Sequence, residues 1–358
     1  MLLTREPWQE TYSEIIDVRS EGEYEEDRLP GAINLPVLND EERARVGTIY
    51  KQNSPFSAKK IGASLVSQNI SHHLHSHFAE KAENYYPLIY CWRGGQRSRS
   101  LALVLEQIGW KVTLLEGGYQ TYRSHVRDRL KTLPQQFKYK IVSGLTGTGK
   151  TLILEQMKQQ GMQVLDLEQL AKHRGSLLGQ EWQNKLEAQP SQKYFESLLV
   201  RQLQQCDREK TVWLESESHK IGKIYLPPIL WEQMKQSPCF EIRVPLEERV
   251  TSLLQQYSYF TEYPDILKAK LQPLKSRCGN EKLQQWFDWC DRKQWRILVK
   301  DLLVNYYDPA YHHSQNRLFQ SPERAIDLDN LDELTIEKVI QRITQIPTHP
   351  QEGEKPTP

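Results

Sequence analysis

Two short stretches hold residue types that do chemistry together. The first is YCWRGGQRS at 90–98, where Cys91 stands before Gly94 and Gly95 among Arg93, Arg97 and Arg99. Between a strand and a helix, such a loop turns backbone N–H groups into its own centre. The helix that follows adds the positive end of its dipole. Arg93, Gly94, Gly95, Gln96, Arg97 and Ser98 would then form an anion nest. A thiol at its mouth is expected to ionise below the ordinary cysteine value of about 8.5 and to act as a nucleophile. Arg97 could fold back and fix the anion by bidentate hydrogen bonds. The thiol could carry a persulfide, a selenium adduct or a phosphoryl group. Cys206, Cys239, Cys278 and Cys290 lack this setting and read as structural.

The second stretch, GLTGTGKT at 144–151, matches G-x-x-x-x-G-K-[ST] in full. Gly144, Gly147, Thr148, Gly149, Lys150 and Thr151 are its binding residues. Backbone N–H groups from Gly147 to Thr151 would cradle a di- or triphosphate, Lys150 would reach the terminal oxygens, and Thr151 could hold a Mg²⁺ if one is used. The motif specifies phosphate and not ATP. Candidate acidic partners are Glu215 and Glu217 in TVWLESES, two apart on a strand end and so facing one way. Asp166 and Glu168 at the end of a neighbouring strand have a similar claim. The polar loop HRGS (173–176) reads equally as anion-facing or as a surface turn.

Elements must position these loops. EIIDVR (14–19), the residues after PGAINLP (30–36), PLIYCWRGG (87–95) and KVTLLEGG (111–118) read as strands. Residues 58–82 and 98–110 read as helices, the latter with Leu101, Val104, Leu105 and Ile108 on one face and Gly109 as its stop. The second half restarts the pattern with strands at 140–144, 162–167, 211–216 and 239–245 and helices at 151–161 and 191–206. Later residues turn helical, and Leu283, Trp286, Phe287, Cys290, Ile297, Leu298 and Leu302 read as a core face. Strands alternating with helices predict an α/β protein with two parallel sheets. The expected domains are 1–133, 134–346 with a helical C-terminal part, and a disordered tail at 347–358, too rich in proline and charge to pack.

With 358 residues, 38% hydrophobic and 26% charged, the chain suits two globular domains. A net charge of +1 argues against a globally basic nucleic-acid binder, and DNA is not an expected partner. Five cysteines at irregular spacing form no disulfide framework or metal pair, which suits a reducing compartment. The N-terminus carries acid and tryptophan where a signal peptide needs an apolar run, and no stretch reaches a membrane span of about 20 apolar residues. A cytoplasmic protein with no membrane contact is expected.

Two charged segments remain. His73 and His77 in SHHLHSHF share a helix face, but no cysteine or carboxylate joins them at short spacing, so a solvated face is preferred and no metal is expected. Residues 122–140 carry six cations, Arg123, Arg127, Arg129, Lys131, Lys138 and Lys140, against Asp128. They read as a junction that takes the phosphates of an RNA or as a soluble linker helix.

DVRSEGEYEEDRLPGAINLP (17–36), the CWRGGQRS loop and LLEGGYQTYR (114–123) together resemble a rhodanese domain, in which the loop cysteine accepts sulfur or a related atom. Cys91 to Arg97 is C-x5-R, one residue longer than the usual rhodanese loop. That wider nest also resembles rhodanese-fold phosphatases. Followed by GLTGTGKT, DLEQLAKHRGS (166–176), LESESHKIG and YYDPAY (306–311), the chain from about 13 to about 345 resembles the tRNA 2-selenouridine synthase family. The resemblance implies a rhodanese-like domain before a P-loop domain and a tRNA bearing wobble 2-thiouridine as substrate. It implies geranyl diphosphate and selenophosphate as co-substrates, an S-geranyl intermediate and no tightly bound cofactor. Lys150 would neutralise the departing pyrophosphate, and Cys91 would serve the selenium exchange with Arg97 holding selenophosphate. A sulfurtransferase coupled to nucleotide hydrolysis, a non-catalytic RNA adaptor and a phosphatase stay open as rivals.

Overall fold

The computed structural model describes residues 1–180, 188–311 and 324–345. The chain divides into two units, Met1–Lys131 with Pro190–Arg201, and Thr132–Gln189 with Gln202–Pro358. A boundary at 133/134 takes no account of Pro190–Arg201, which belongs with the first unit.

In the first unit, β1 (Leu2–Thr4), β2 (Glu14–Asp17), β3 (Ala32–Asn34), β4 (Pro87–Tyr90) and β5 (Thr113–Leu115) form a parallel sheet in the order β1-β5-β4-β2-β3. Every residue of β4 is buried, as a central parallel strand covered on both faces requires. The helices are α1 (Glu21–Glu26), α2 (Asp40–Gln52), α3 (Pro55–Ser76), α4 (Gln96–Ile108) and α5 (Tyr119–Thr132). The sequence reading misses α2. Its residues have almost no apolar face, and a capping box between Asn39 and Glu42 starts it. The helix expected at 58–82 begins earlier, where Ser54 accepts from the Ser57 N–H at 3.1 Å, and ends at Ser76.

On α4 the buried stripe is Ser98, Leu101, Ala102 and Leu105. Ile108, expected on that face, is 53% exposed because the stripe ends a turn earlier. Residues 122–132, which admitted a soluble linker, lie within α5. It buries Tyr119, Tyr122, Val126 and Leu130 and is thereby an element of the first unit.

The second unit repeats the plan. The strands β6 (Tyr139–Ser143), β7 (Gln163–Val164), β8 (Val212–Glu215), β11 (Cys239–Arg243) and β12 (Arg324–Asp327) pair in parallel in the order β12-β11-β6-β8-β7. A small hairpin joins β9 (Lys220–Ile221) to β10 (Ile224–Tyr225). The edge strand β12 was not expected; its burial pattern is mostly exposed and gives no apolar run.

The remaining helices of the chain, in order, are α6 (Lys150–Gln159), α7 (Leu167–Ala171), α8 (Gln192–Gln205, of which the residues up to Arg201 belong to the first unit), α9 (Pro228–Gln236), α10 (Leu246–Gln256), α11 (Tyr259–Glu262), α12 (Pro264–Leu271), α13 (Lys275–Asp291), α14 (Trp295–Leu302) and α15 (Glu333–Thr344). The sheet core includes Val142, Ile153, Met157, Phe240, Val339 and Ile340. A helical core gathers Phe260, Leu267, Leu271, Leu283, Trp286, Cys290, Leu298 and Leu302. Ile297, expected among them, is 48% exposed, one position off the stripe that buries Leu298. Among the described residues no helix is long and apolar enough to cross a membrane. The expected tail at 347–358 lies outside the described residues.

Candidate functional site

The Cys91 loop leaves the C-terminal end of β4 and enters α4 at Gln96. Cys91 is 3% exposed, so the thiol sits inside the nest and not at its rim. Its Sγ accepts from the Gly95 N–H at 3.2 Å and lies 3.2 Å from Ser98 Oγ. The turn after β5 braces this loop. Tyr119 N–H donates to the Cys91 carbonyl at 2.8 Å, and Gln120 N–H to the Trp92 carbonyl at 3.2 Å. Gly118 holds φ +61°, and a Cβ there would stand 2.2 Å from Cys91 O and 2.5 Å from Gly94 N, so only glycine fits.

Arg97 departs from its expected pose. Its guanidinium does not fold over the loop; Nη1 donates to Glu23 Oε2 at 2.7 Å and Nη2 to Glu23 Oε1 at 3.4 Å. Burial alone would raise the Glu23 carboxyl, but Arg97 outweighs it and holds Glu23 below its ordinary value. Arg93, Gln96 and Arg99 are exposed. A groove of about 1380 Å³ passes Trp92, Gln96 and Arg97 and carries Arg43, Lys51, Lys59 and Arg99. The sequence reading does not single out the three of these cations on α2 and α3, since no local charge run marks them.

Beneath the loop, Asp27 gathers a network that sequence reasoning misses. It accepts from Tyr119 OH at 2.7 Å and from Ser197 Oγ at 2.8 Å. Burial pushes its carboxyl above the ordinary value despite these donors. Arg123 is committed here too, donating to Glu196 and, at 3.2 Å, to the Lys193 carbonyl.

The other proposed RNA contacts fare unequally. Arg127, Lys131 and Lys138 are exposed and Arg129 half-buried. Lys140 is a correction: it is 4% exposed on β6, with Nζ 5.3 Å from the Trp213 ring centroid and 5.5 Å from that of Phe240, so it cannot meet a phosphate. The histidines also differ from a solvated pair. His73 Nε2 lies 2.9 Å from Pro36 O and His77 Nε2 2.8 Å from Glu14 Oε2, so the two rings serve different partners.

The phosphate loop runs from β6 to α6. Gly144 takes φ +153°, where a Cβ would lie 2.5 Å from Thr148 Oγ1 and 2.6 Å from Ile242 O. Its N–H donates to Tyr311 OH at 2.9 Å. Lys150 Nζ donates to the Gly144 carbonyl at 2.9 Å, a hydrogen bond that an anion would have to replace. Arg249, 3% exposed, donates from Nε to Thr146 O at 2.8 Å while its fork grips Asp308 at 2.6 and 3.0 Å. The YYDPAY segment thus supplies two props for the loop, Asp308 and Tyr311. Arg249 gave no sequence signal, since its partner lies 59 residues away.

The loop opens into a cavity of about 330 Å³ lined by residues 146–151, Glu168, Arg174, Ser176, Glu215, Glu217, Tyr257 and Tyr311. Arg174, Gly175 and Ser176 of HRGS therefore line the cavity. Glu215 and Glu217 do face one way, and Glu168 joins them, with ligand oxygens of all three within 4.8 Å of one another. Burial first, then the neighbouring glutamates, push Glu168 and Glu215 well above the ordinary carboxyl value, and burial also raises Glu217. Asp166 plays a different part: its Oδ1 accepts from the Gln169 N–H at 2.8 Å and caps α7.

A second, apolar cavity of about 60 Å³ adjoins the first. It is lined by Leu178, Leu254, Phe260, Leu267, Trp295, Leu298, Val299 and Leu302, and shares Thr146, Ser176, Leu253, Tyr257 and Tyr307 with the phosphate cavity. Of the tryptophans expected in the core, Trp286 is fully buried and tied to Asp301 at 2.8 Å. Burial raises the thiols of Cys206 and Cys239, and that of Cys290 to about 11, as suits structural cysteines.

The tRNA 2-selenouridine synthase AAA domain family matches residues 137–334, and the rhodanese-like domain family matches residues 3–125. A tRNA 2-selenouridine synthase of Sulfurovum sp. (strain NBC37-1) is 30% identical over 332 residues, covering 85% of this chain and 89% of its own. One from Nitrosomonas europaea is 30% identical, covering 86% and 90%. One from Shewanella denitrificans is 32% identical, covering 87% and 90%. Similarity of that extent runs through both units and nearly the whole length of each relative, and the chain belongs to the tRNA 2-selenouridine synthase family of enzymes.

Proposed function

We propose that the protein converts wobble 2-thiouridine in tRNA to 2-selenouridine through an S-geranyl intermediate, using geranyl diphosphate and selenophosphate. The observation that carries this reading is the pairing of a polar phosphate cavity with an apolar one across shared walls. A nucleoside triphosphate would ask for polar groups around its base and ribose. Leucines, a phenylalanine and a tryptophan suit a hydrocarbon chain instead.

In the first step the thiouridine sulfur attacks the C1 carbon of geranyl diphosphate. The C–O bond breaks, its electron pair leaves with pyrophosphate, and the base gives up its N3 proton. Lys150 and the loop N–H groups stabilise the charge that grows on the leaving group. In the second step the selenium of selenophosphate attacks C2 of the base. Geranylthiolate leaves with its electron pair, and water takes the phosphoryl group. Alkylation makes that exchange feasible, because a thioether sulfur is a leaving group and a thiocarbonyl is not. Cys91 and the N–H groups of its loop would serve this second exchange. Arg97 would join only by sharing or releasing Glu23. The groove with Arg43, Lys51, Lys59 and Arg99 suits RNA phosphates.

The test is mass spectrometry of nucleosides from a 2-thiouridine tRNA incubated with the protein and geranyl diphosphate, then selenophosphate, without ATP. S-geranyl-2-thiouridine followed by 2-selenouridine is the expected result. An unchanged uridine until ATP is added would overturn the reading and favour nucleotide-dependent sulfur transfer.

A further inference from the structure

The two-step chemistry hands a geranylated base to the Cys91 loop, and its prenyl chain must lie somewhere while selenium replaces sulfur. The apolar cavity that adjoins the phosphate loop is built wholly from the second unit. The Cys91 loop has its own groove in the first unit, of about 1380 Å³, which Trp92, Gln96 and Arg97 help to line. One wall of that groove is apolar. Val46 stands on α2, Val66 and Leu74 on α3, and Leu103 and Val104 on α4. Val66, Leu74 and Val104 have one side against the core of the unit, and Leu103 is 53% exposed. Apolar surface gathered in one open concavity marks a site for an apolar group.

The rim adds a second requirement. Arg43, Lys51, Lys59 and Arg99 line the same groove and are exposed. The two acids on it are engaged, Glu23 by Arg97 at 2.7 Å and Arg43 at 3.7 Å, and Glu26 by Lys193 at 2.5 Å. The occupant that fits is therefore anionic at its edge and hydrocarbon in its middle. An unmodified RNA meets the cations but offers nothing to the valines and leucines. Gly47 on α2 also lines the groove, and a Cβ built there meets nothing within 4 Å. Glycine inside a helix lowers its stability, and at this position its effect is to leave the groove open.

We propose that this groove is a second prenyl site, which holds the geranyl chain of S-geranylated RNA beside the Cys91 loop while its cations take the flanking phosphates. The geranyl group is then held by one unit as the diphosphate donor and by the other as the thioether. Its task in selenium transfer rests on the two-step reading; its affinity for a prenylated RNA does not.

The experiment measures fluorescence anisotropy of two synthetic anticodon stem-loop RNAs with the full-length protein. One carries 2-thiouridine at the wobble position and the other S-geranyl-2-thiouridine. Wild type should bind the geranylated RNA more tightly, by about tenfold or more. Gly47→Leu fills the groove from α2, and Leu103→Gln makes its wall polar. Each should lose most of that preference and keep its affinity for the 2-thiouridine RNA. Leucine is the better helix former and Leu103 is half exposed, so unfolding midpoints should not fall. Calorimetry with geranyl diphosphate should show no change in either variant, because neither residue lines the cavities beside the phosphate loop. Equal binding of the two RNAs by wild type, or a preference that both variants keep, overturns the proposal. Loss of geranyl diphosphate binding in the variants also overturns it, since the groove would then serve the donor. A preference that the variants abolish, with no 2-selenouridine formed from the geranylated RNA and selenophosphate, leaves the groove site standing and refutes the two-step reading instead.

Discussion

Val299→Phe should separate prenyl recognition from phosphate recognition. Val299 is half-buried on α14 and lines the apolar cavity, but not the phosphate cavity. That apolar cavity measures about 60 Å³. By that measure one water needs about 10–15 Å³, so roughly four to six water-sized groups fit. The five carbons of a terminal isoprene unit are of that size. At about 0.8 kcal/mol per buried carbon the unit is worth up to about 4 kcal/mol. Phenylalanine adds four heavy atoms to the valine side chain and takes most of the space. Losing between half and all of that term weakens geranyl diphosphate binding by about 30- to 700-fold. The assay is a calorimetric series on inorganic pyrophosphate, dimethylallyl diphosphate and geranyl diphosphate. Wild type should bind geranyl diphosphate most tightly. The variant should bind all three nearly alike, with pyrophosphate affinity unchanged. The reasoning fails if wild type shows no preference for the longer chain, or if Val299→Phe keeps the full preference.

Other substitutions test the rest of the site. Lys150→Ala should block geranyl transfer, because the leaving pyrophosphate loses its cation, and nucleoside mass spectrometry would show unmodified 2-thiouridine. Cys91→Ser should leave the geranyl step intact and stop selenium incorporation; loss of both steps would refute the division of labour. Gly118→Ala should cost about 2–5 kcal/mol, from a left-handed alanine plus a backbone clash, read as a fall in urea midpoint, and it should impair selenium incorporation more than geranyl transfer. Burial lowers the titration of His73 and of His125 below the ordinary histidine value of about 6.5. The unfolded chain therefore takes up protons first as pH falls below 6.5, and stability declines from there down to the folded-state values, where the decline ends. His73→Gln should flatten part of that decline in urea unfolding curves collected between about pH 5 and about pH 7.5.

The strand and helix rhythm was legible because both sheets are parallel and buried. β4 reads as an apolar run of four and β8 as one of three that ends on Glu215, and each is buried at every position. Elements without that signal escaped. α2 rests on caps and charge, and β12 shows an exposed pattern at a sheet edge. Ile108 and Ile297 mark the limit of periodicity. A 3.6-residue repeat gives the direction of a face, but not the turn at which the neighbouring element stops covering it.

The two loops were legible for a different reason. Each is local, so its chemistry is written in eight or nine consecutive residues. What holds them is distant in sequence: Gly118 under Cys91, Arg249 and Asp308 around Thr146, and Tyr311 on Gly144. The same holds for charge. Arg97 is local to its nest, yet Glu23, 74 residues away, decides where its guanidinium points. Lys140 looked like a member of a basic run, yet its place on β6 between two aromatic rings removes it from the surface. A charge run in sequence becomes a charged surface only if the residues share an exposed face. By that rule Arg43, Lys51, Lys59 and Arg99, from three helices around one groove, are better placed to meet RNA than the contiguous 122–140 segment. Reversing Lys51 and Arg99 together should weaken tRNA binding and lower its salt dependence. The same reversal at Arg127 and Lys131 should do less, and equal effects in filter-binding assays would show that exposure, not the groove, sets the contact.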